Sequence, residues 1–241
     1  MEGHTLQQSS AAPTSWKPGP RLPLLIRLFR LFVILAGRVL FHIRITGAEN
    51  IPRGAYIVVA NHLNWIDPFL LFIALPPEPR LYFIGASQAK NREWKSWLLD
   101  RYDGWVPVER GAAWVGREIF SRPLEVLENG AVLGLFPEGG NGPVEGALQP
   151  LKRGVGHFLL QADYPVLPIA LSGTKELYWR KPITVIIGKP FHVQIGGLSR
   201  LQALNCTAQR LGDELRAIIP PYAEPVGVKK RLTFLNNLLD R

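Results

Sequence analysis

The feature that most restricts the fold of this chain is an apolar run, residues 55–60 (AYIVVA), that stops abruptly at polar residues. Ile57, Val58 and Val59 are adjacent β-branched residues without polar alternation. Such a run is typical of a strand buried on both faces, as in a sheet that helices cover on both sides. The sequence therefore predicts an α/β fold: a single domain with a largely buried mixed sheet flanked by helices.

A short polar turn, residues 61–67 (NHLNWID), joins this run to the next apolar one. Pro68 suits the first turn of a helix, and the residue before a proline avoids helical geometry, so we expect a helix to begin here with Asp67 as its N-cap. His62 and Asp67 then share one strand-to-helix turn, where open α/β sheets place their chemistry. A cap and a surface histidine are the ordinary uses of these residue types, so the spacing alone does not establish a catalytic pair.

Length and composition exclude several classes of protein. The chain of 241 residues is long enough for one large domain, and 47% hydrophobic with 20% charged residues fits a globular protein. The single cysteine, Cys206, excludes an internal disulfide and a cysteine-rich metal site. Because the chain has neither a transition-metal motif nor a phosphate-binding loop, we expect no bound cofactor, metal or nucleotide.

The net charge of +9 is concentrated at the two ends of the chain. Residues 1–53 carry +5 and residues 226–241 carry +3, which leaves +1 for the middle. Basic ends that are rich in apolar residues indicate an anionic lipid surface as partner, and two soluble basic tails are the alternative. Nucleic-acid binding is disfavoured, because the charge lies on apolar amphipathic segments and not on a polar basic face with exposed aromatic residues.

The composition changes along the chain and divides it into four parts. The first part is polar and lacks the charged and apolar regions of a secretory signal, and we expect it to be disordered. An amphipathic helix follows, then the main domain, then a basic amphipathic C-terminal segment. In order, these parts are residues 1–20, 21–41, 42–225 and 226–241.

The second part predicts an amphipathic helix with a basic stripe. Arg27, Arg30 and Arg38 fall within about 80° of one another on a helical wheel, opposite a broad apolar face. The longest charge-free run, residues 31–37, is too short to span a bilayer. The helix either lies in the membrane interface or docks on the core of its own domain, and a docked helix can still present its basic edge to lipid.

The C-terminal segment is also amphipathic. Val228, Leu232, Leu235 and Leu239 fall at helical spacing beside three consecutive basic residues. This pattern suits packing on the domain, contact with lipid or pairing with another chain, and the sequence does not choose among them.

Four segments follow one another in the order of a known set of motifs. The first, Asn61-His62-x4-Asp67-Pro68, resembles the His-x4-Asp motif of the glycerolipid acyltransferases, the family that contains 1-acylglycerol-3-phosphate acyltransferase. The second (GWVPVERG) resembles the family's Gly-x-x-x-Val-acidic-Arg motif, the third (FPEGGNG) its Phe-Pro-Glu-Gly-Thr-Arg motif, and the fourth (YPVLPIALSGT) its Val-x-Pro-Ile/Val strand. The last three are residues 104–111, 136–142 and 164–174, and the resemblance covers roughly residues 42–195.

The resemblance implies an acyltransferase that moves a fatty acyl group from an acyl thioester to the hydroxyl of a lysophospholipid such as 1-acylglycerol-3-phosphate, in phospholipid biosynthesis. The donor is acyl-CoA or acyl-carrier protein, used as co-substrate. His62 is implied as the general base and Asp67 as the carboxylate that fixes its tautomer, because an imidazole with a pKa near ~6.5 both accepts and returns a proton at neutral pH. No Gly-x-Ser-x-Gly elbow is present, which favours direct attack by the acceptor over an acyl-enzyme.

The resemblance also implies where the acceptor binds. Arg110 of the second motif is associated with the acceptor phosphate, and a guanidinium offers a planar fork of donors that matches phosphate oxygens. Glu138 and Gly139 of the third motif would shape the same pocket. This motif departs from the family, because Gly140 and Asn141 stand where Thr and Arg are usual.

The departure leaves more than one interpretation open. Lys152 and Arg153 of the following segment would supply the missing positive charge, or the acceptor is a lipid without a phosphate. A membrane-binding protein that keeps this fold without catalysis is a further hypothesis, against which the intact pair of His62 and Asp67 argues. With its basic ends, we expect a peripheral (monotopic) protein on the cytoplasmic face of a membrane.

Overall fold

The part of the chain that the structure describes contains five α-helices and seven strands. This structure, a computed structural model, describes residues 18–86, 104–108, 120–193, 197 and 199–237. The helices are α1 (Leu24–Leu40), α2 (Asp67–Ala74), α3 (Ser121–Glu128), α4 (Arg153–Ala162) and α5 (Arg200–Ile218). The strands are β1 (Phe41–Thr46), β2 (Ile57–Ala60), β3 (Leu81–Ala86), β4 (Trp105–Val108), β5 (Val132–Leu135), β6 (Val166–Ser172) and β7 (Lys181–Ile187).

The seven strands form one mixed sheet in the order β1-β7-β6-β2-β5-β3-β4. Strands β6 and β7 are antiparallel, and the other neighbouring pairs are parallel. In the central strand β2, Ile57 aligns with Leu133 on one side and with Val166 on the other. The predicted α/β domain with a mixed sheet is confirmed. Because β5, β2 and β6 are parallel, the residues that follow them meet at one edge of the sheet.

The sheet is covered on both faces, as the apolar run in β2 predicts. Val58 and Ala60 belong to one core cluster, whereas Ile57 and Val59 belong to the other. Successive side chains of a strand point to opposite faces, so a strand buried on both faces reads as a nearly continuous apolar run. We call the two faces the α2 side and the α5 side. The α2 side includes Leu70 and Leu71 of α2; the α5 side includes Val126 of α3, Phe158 of α4 and Leu211 of α5.

Helix α1 docks on the α2 side of the sheet. Its Ile26 and Gly37 are buried. A Cβ added at Gly37 would lie 3.1 Å from Cδ1 of Ile43 and 3.2 Å from Cδ1 of Ile73. The glycine therefore permits the close approach of α1 to β1 and α2, which is the docked alternative for this helix.

Arg30 of α1 binds the C-terminal end of α2. Its Nε donates to the carbonyl oxygen of Phe72 at 3.0 Å, and Nη2 donates to that of Leu75 at 2.7 Å. The last carbonyl groups of a helix lack partners within the helix, so a guanidinium there satisfies them. The predicted basic stripe is therefore not one surface of free cations, because Arg30 binds carbonyl groups of the domain and Arg27 pairs with Glu78.

The outward face of α1 is apolar. Its large hydrophobic side chains are 49–73% exposed and occupy an arc of about 120° around the helix. These residues, which we call the α1 apolar face, are Leu24, Leu25, Leu28, Leu31, Phe32, Leu35 and Val39. Among the described residues, no helix is both long and apolar enough to cross a membrane. Contact between the α1 apolar face and lipid stays a prediction.

The C-terminal segment folds back onto the α2 side of the sheet. Its described part contains a short 3-10 helix, Thr233–Asn237, and no α-helix. Leu235 is buried in the core cluster of the α2 side. The backbone N–H of Trp179 donates to the carbonyl oxygen of Arg231 at 2.8 Å. Pairing with the loop between β6 and β7 therefore holds the segment in a non-helical conformation.

A buried lysine fastens the residues just before this segment to the sheet. Lys181, at the start of β7, is 1% exposed, and its ammonium lies 2.7 Å from Oε2 of Glu224 and donates to the hydroxyl of Tyr222. Burial opposes ionisation of Glu224, but the hydrogen bonds from Lys181 and Tyr222 outweigh it and lower the pKa of Glu224 to about 2. The pair stabilises the ionised carboxylate in the folded state.

We predict that Glu224 makes the stability of the fold sensitive to acid. A glutamate titrates near 4.5 when unperturbed, and in the folded protein the pKa of Glu224 is about 2. Its stabilising contribution is therefore present above pH 4.5 and is lost as the pH falls towards 2. In urea denaturation, Glu224→Gln should be less stable than the wild type at about pH 7, and the difference should shrink by about pH 3. A difference that is equal at both pH values would contradict this assignment.

Candidate active site

Residues 61–67 form the turn between β2 and α2, and one carboxylate oxygen organises it. Nδ1 of His62 lies 2.8 Å from Oδ2 of Asp67. The same oxygen accepts the backbone N–H groups of Leu63, at 2.6 Å, and of Asn64, at 2.8 Å. Asp67 is fully buried, whereas the side chain of His62 is 19% exposed. Three donors on one oxygen fix both the imidazole and the turn relative to the start of α2.

The arrangement assigns the tautomer of His62. Because Nδ1 faces a carboxylate that also accepts two N–H groups, Nδ1 carries the proton in the neutral imidazole. Nε2 is then left with a lone pair, and it makes no hydrogen bond with the described part of the chain. A partly exposed imidazole with an unprotonated Nε2 can accept a proton from a hydroxyl that reaches it.

The prediction that Asp67 is the N-cap is wrong. Ile66 is the N-cap, Asp67 is the first residue of α2, and no side chain caps this helix end. The carboxylate turns back towards the residues before the helix, where the donors of His62, Leu63 and Asn64 lie. Pro68 lies in the first turn of the helix, as predicted.

Asn61 anchors the turn to β6, and sequence reasoning gave it no role. Its side chain is 1% exposed. Nδ2 donates to the carbonyl oxygen of Leu171 at 2.9 Å, and Oδ1 accepts the N–H of the same residue at 2.7 Å. The only sequence signal is its position directly after a buried strand, where a polar side chain lies among backbone groups that need partners.

Glu138 lies behind His62 and holds its backbone. Oε1 accepts the N–H of His62 at 2.8 Å, and Oε2 accepts the N–H of Gln149 at 2.9 Å. Burial raises the pKa of Glu138, and these two backbone N–H groups partly offset that effect. The structure therefore gives Glu138 a positioning role beside His62. Its predicted contact with the acceptor stays a prediction.

The loop after β5 packs directly against His62. The ring of Phe136 stacks on the imidazole with centroids 4.2 Å apart. The N–H of Gly142 donates to the carbonyl oxygen of His62 at 2.6 Å. Gly139 has a φ of +71°, and a Cβ there would lie 3.1 Å from Cε of Lys152. A glycine at this position allows the left-handed turn and the passage of the lysine side chain over it.

Four of the predicted acceptor-binding residues are exposed in the structure, and another lies outside the described residues. Gly140 and Asn141 are exposed at the tip of the loop after β5. Lys152 and Arg153 are exposed at the start of α4, and the N–H of Lys152 donates to the carbonyl oxygen of Pro137 at 2.8 Å. Arg110 lies outside the described residues, so its position relative to His62 stays a prediction.

Lys175 is a cation at the site that the motifs did not identify. It follows β6, next to the end of the fourth motif, and its Nζ donates to the carbonyl oxygen of Gly142 at 2.7 Å. Its own carbonyl oxygen accepts from Nδ2 of Asn64 at 3.2 Å. Lys175 thus contacts both the loop after β5 and the turn that carries His62. Its position beyond the carboxyl end of a strand next to β2 is the signal that could have found it.

The comparison with known families agrees with this geometry. Residues 42–172, more than half of the chain, match the family model described as Acyltransferase. The chain belongs to the acyltransferase family. The matched range contains His62, Asp67 and Glu138 and ends with the last residue of β6. The family and the enzyme class predicted from the four motifs are confirmed.

Individual relatives agree with this conclusion, and a solved structure agrees with the fold. A 1-acyl-sn-glycerol-3-phosphate acyltransferase of Bacillus subtilis is 25% identical over 154 residues, 62% of this chain and 74% of the relative. One from Limnanthes douglasii is 26% identical over 223 residues, 86% of this chain and 75% of the relative. The crystal structure of the 1-acyl-sn-glycerophosphate (LPA) acyltransferase from Thermotoga maritima superposes with a TM-score of 0.63 at 20% identity, covering 83% of this chain and 82% of that one. This last likeness shows the fold.

We predict that Asn61 stabilises the acyltransferase domain. Asn61→Ala removes two hydrogen bonds and leaves backbone groups of Leu171 without this partner in a buried site. We expect the free energy of unfolding to fall by about 2 kcal/mol or more, measured by urea denaturation. The control Asn205→Ala, on the exposed surface of α5, should change stability by no more than about 0.5 kcal/mol. Equal stability of the two variants would contradict the proposed anchor.

Proposed function

We propose that this acyltransferase moves a fatty acyl group from acyl-CoA or acyl-carrier protein to the hydroxyl of a lysophospholipid such as 1-acylglycerol-3-phosphate, in phospholipid biosynthesis. The observation that carries the proposal is the contact between His62 and Asp67 within the range that matches the family. The named relatives, 1-acyl-sn-glycerol-3-phosphate acyltransferases, support this acceptor.

In the proposed reaction, Nε2 of His62 takes the proton of the acceptor hydroxyl while the hydroxyl oxygen attacks the thioester carbonyl carbon. A carbon–oxygen bond forms, the carbon–sulfur bond breaks as the tetrahedral intermediate collapses, and the proton passes from Nε2 to the departing thiolate. The buried carboxylate of Asp67, 2.8 Å from Nδ1, stabilises the imidazolium that exists between these two proton transfers. Direct attack needs no acyl-enzyme, in keeping with the absence of a nucleophile elbow from the sequence.

The acceptor phosphate would bind near the loop after β5. Arg110 is the first candidate, because its motif resembles the one that binds this phosphate in the family. Lys152 and Arg153 are exposed beside the loop, and the ammonium of Lys175 lies 2.7 Å from the carbonyl oxygen of Gly142. A phosphate beside several cations gains charge-assisted hydrogen bonds. In this proposal, these cations replace the arginine that the family usually has in its third motif, at the position of Asn141 in this chain.

The exposed tip of this loop also motivates a second candidate function. Gly140 and Asn141 offer neither the hydroxyl nor the guanidinium usual in the family's third motif. A lipid acceptor with a hydroxyl and no phosphate would not need them, and the chemistry at His62 would be the same.

The proposal includes peripheral attachment to a membrane, on the cytoplasmic side. The acceptor is a lipid, and the α1 apolar face presents seven exposed hydrophobic side chains to the surroundings. A helix with such a face is suited to lie in the interface between headgroups and acyl chains. Arg38 at the last turn of α1 is exposed at the edge of this face and would meet anionic headgroups.

We predict that His62→Ala lowers the rate of thiol release from a long-chain acyl-CoA, with 1-acylglycerol-3-phosphate as acceptor, by roughly 10²- to 10⁴-fold. The variant should unfold at nearly the wild-type temperature, because the imidazole is partly exposed. His192→Ala, an exposed histidine after β7, is the matched control and should keep full activity. Near-normal turnover by His62→Ala would contradict the assignment of His62 as the general base. Release only with a lipid acceptor that lacks phosphate would support the second candidate, and no release with either donor and any acceptor would contradict the proposed reaction.

We predict that loss of the proposed phosphate contacts acts on the acceptor KM. Arg110→Ala and Lys175→Gln should each raise the KM for 1-acylglycerol-3-phosphate, by about tenfold for one charge-assisted contact, with a smaller change in kcat. The matched control Arg122→Ala, exposed on α3 and outside the proposed phosphate site, should leave both constants unchanged. An unaltered acceptor KM in either variant would remove that residue from the phosphate site.

A further inference from the structure

A second group of exposed apolar side chains lies near the C-terminus. Phe234 is 61% exposed, although the next residue, Leu235, is only 7% exposed. The group, which we call the C-terminal patch, consists of Trp179, Val228, Leu232 and Phe234, all exposed. A segment that served only to cover the core would turn its large apolar residues inward, so clustered apolar side chains that remain outside indicate a contact surface.

The C-terminal patch is connected to the α1 apolar face through the loop between β6 and β7. The N–H of Trp179 donates to the carbonyl oxygen of Arg231 at 2.8 Å, which fixes the patch to this loop. The N–H of the following residue, Arg180, donates to the carbonyl oxygen of Leu40 at 2.6 Å, at the end of α1. Two successive backbone hydrogen bonds therefore join the patch to the helix.

Both surfaces lie on the same side of the sheet. Leu40 of α1 and Leu235 of the C-terminal segment pack against the core cluster of the α2 side. Helices α3, α4 and α5 supply the cluster of the other side. Both groups of exposed side chains therefore belong to segments that cover the same side of the sheet, which is a condition for contact with one membrane surface.

The charge around the C-terminal patch identifies the partner. Residues 226–237 contain three basic and no acidic residues. Lys230 pairs with Glu176 and lies 3.4 Å from Glu224, so its charge is neutralised within the protein. Arg180, Lys229 and Arg231 are exposed beside the apolar side chains. Apolar residues among exposed cations are complementary to a surface of anionic headgroups over acyl chains.

We infer that the C-terminal patch is a second membrane contact, specific for anionic phospholipid, that acts together with the α1 apolar face. It lies close to the chemistry, because the indole Nε1 of Trp65, within the turn of His62 and Asp67, donates to the carbonyl oxygen of Leu235 at 2.9 Å. Seating Phe234 in the interface would hold this turn near the layer from which a lipid acceptor enters. The placement rests on the proposed lipid acceptor, but membrane binding is measurable without turnover.

The test is sedimentation of the full chain with vesicles of phosphatidylcholine that contain about 30% phosphatidylglycerol, and with vesicles of phosphatidylcholine alone. The double variant Leu232→Ser/Phe234→Ser should bind the anionic vesicles about tenfold more weakly than the wild type. Lys229→Gln/Arg231→Gln should lose most of the preference for anionic over neutral vesicles. The matched control is Leu201→Ser, because Leu201 is 69% exposed on α5, on the opposite side of the sheet; it should bind as the wild type does.

Three results would overturn the inference. The first is wild-type vesicle binding by Leu232→Ser/Phe234→Ser. The second is an equal loss in Leu201→Ser, which would show that any exposed leucine has the same effect. The third is a change of oligomeric state on removal of Phe234 with vesicle binding unchanged, which would assign the patch to contact between copies of this chain. Thermal unfolding of each variant should match the wild type, since the altered side chains are exposed. If vesicle binding behaves as expected while no acceptor is acylated, the proposed function fails and this inference stands.

Discussion

One buried carboxylate oxygen sets the geometry on which the site depends. Oδ2 of Asp67 accepts from Nδ1 of His62 and from the backbone N–H groups of Leu63 and Asn64. The turn cannot change shape without losing one of these bonds inside a region closed to water, where an unpaired polar group is costly. The same contact that determines the backbone therefore also determines which nitrogen of His62 carries the proton.

The sheet edge supplies the remaining constraints, from the residues that follow β2 and β5. Asn61, after β2, binds Leu171 of β6 through both atoms of its amide. Glu138, after β5, accepts the N–H of His62, and Gly142 donates to the carbonyl oxygen of His62. His62 is thus held on both sides of its own backbone by the loop that follows β5. The central parallel strands bring these groups together, which explains why residues far apart in sequence act on one imidazole.

Features that depend on local pattern were predictable from the sequence, and features that depend on distant partners were not. The β-branched run predicted β2, and the four motifs in their order predicted the acyltransferase family, because each of these signals lies within a short stretch of sequence. The contact of Asp67 with His62 was predicted, but its N-cap role was mispredicted, since a cap and a turn-binding carboxylate have the same sequence signal before Pro68. The conformation of the C-terminal segment was not predictable from its spacing, because it depends on contacts with the loop between β6 and β7. Arg110 lies outside the described residues and stays a prediction.

The central claim is that Asp67 holds His62 as the tautomer with a proton on Nδ1 and a lone pair on Nε2. Nitrogen-15 NMR of histidine-labelled protein at about pH 8 reports the protonation of each ring nitrogen directly, and His62→Gln identifies the signals of this residue among those of the 5 histidines. We predict a protonated Nδ1 and an unprotonated Nε2, with both signals changed in Asp67→Asn. A proton on Nε2, or a rapid mixture of the two tautomers, would contradict the account of how this site takes a proton from its acceptor.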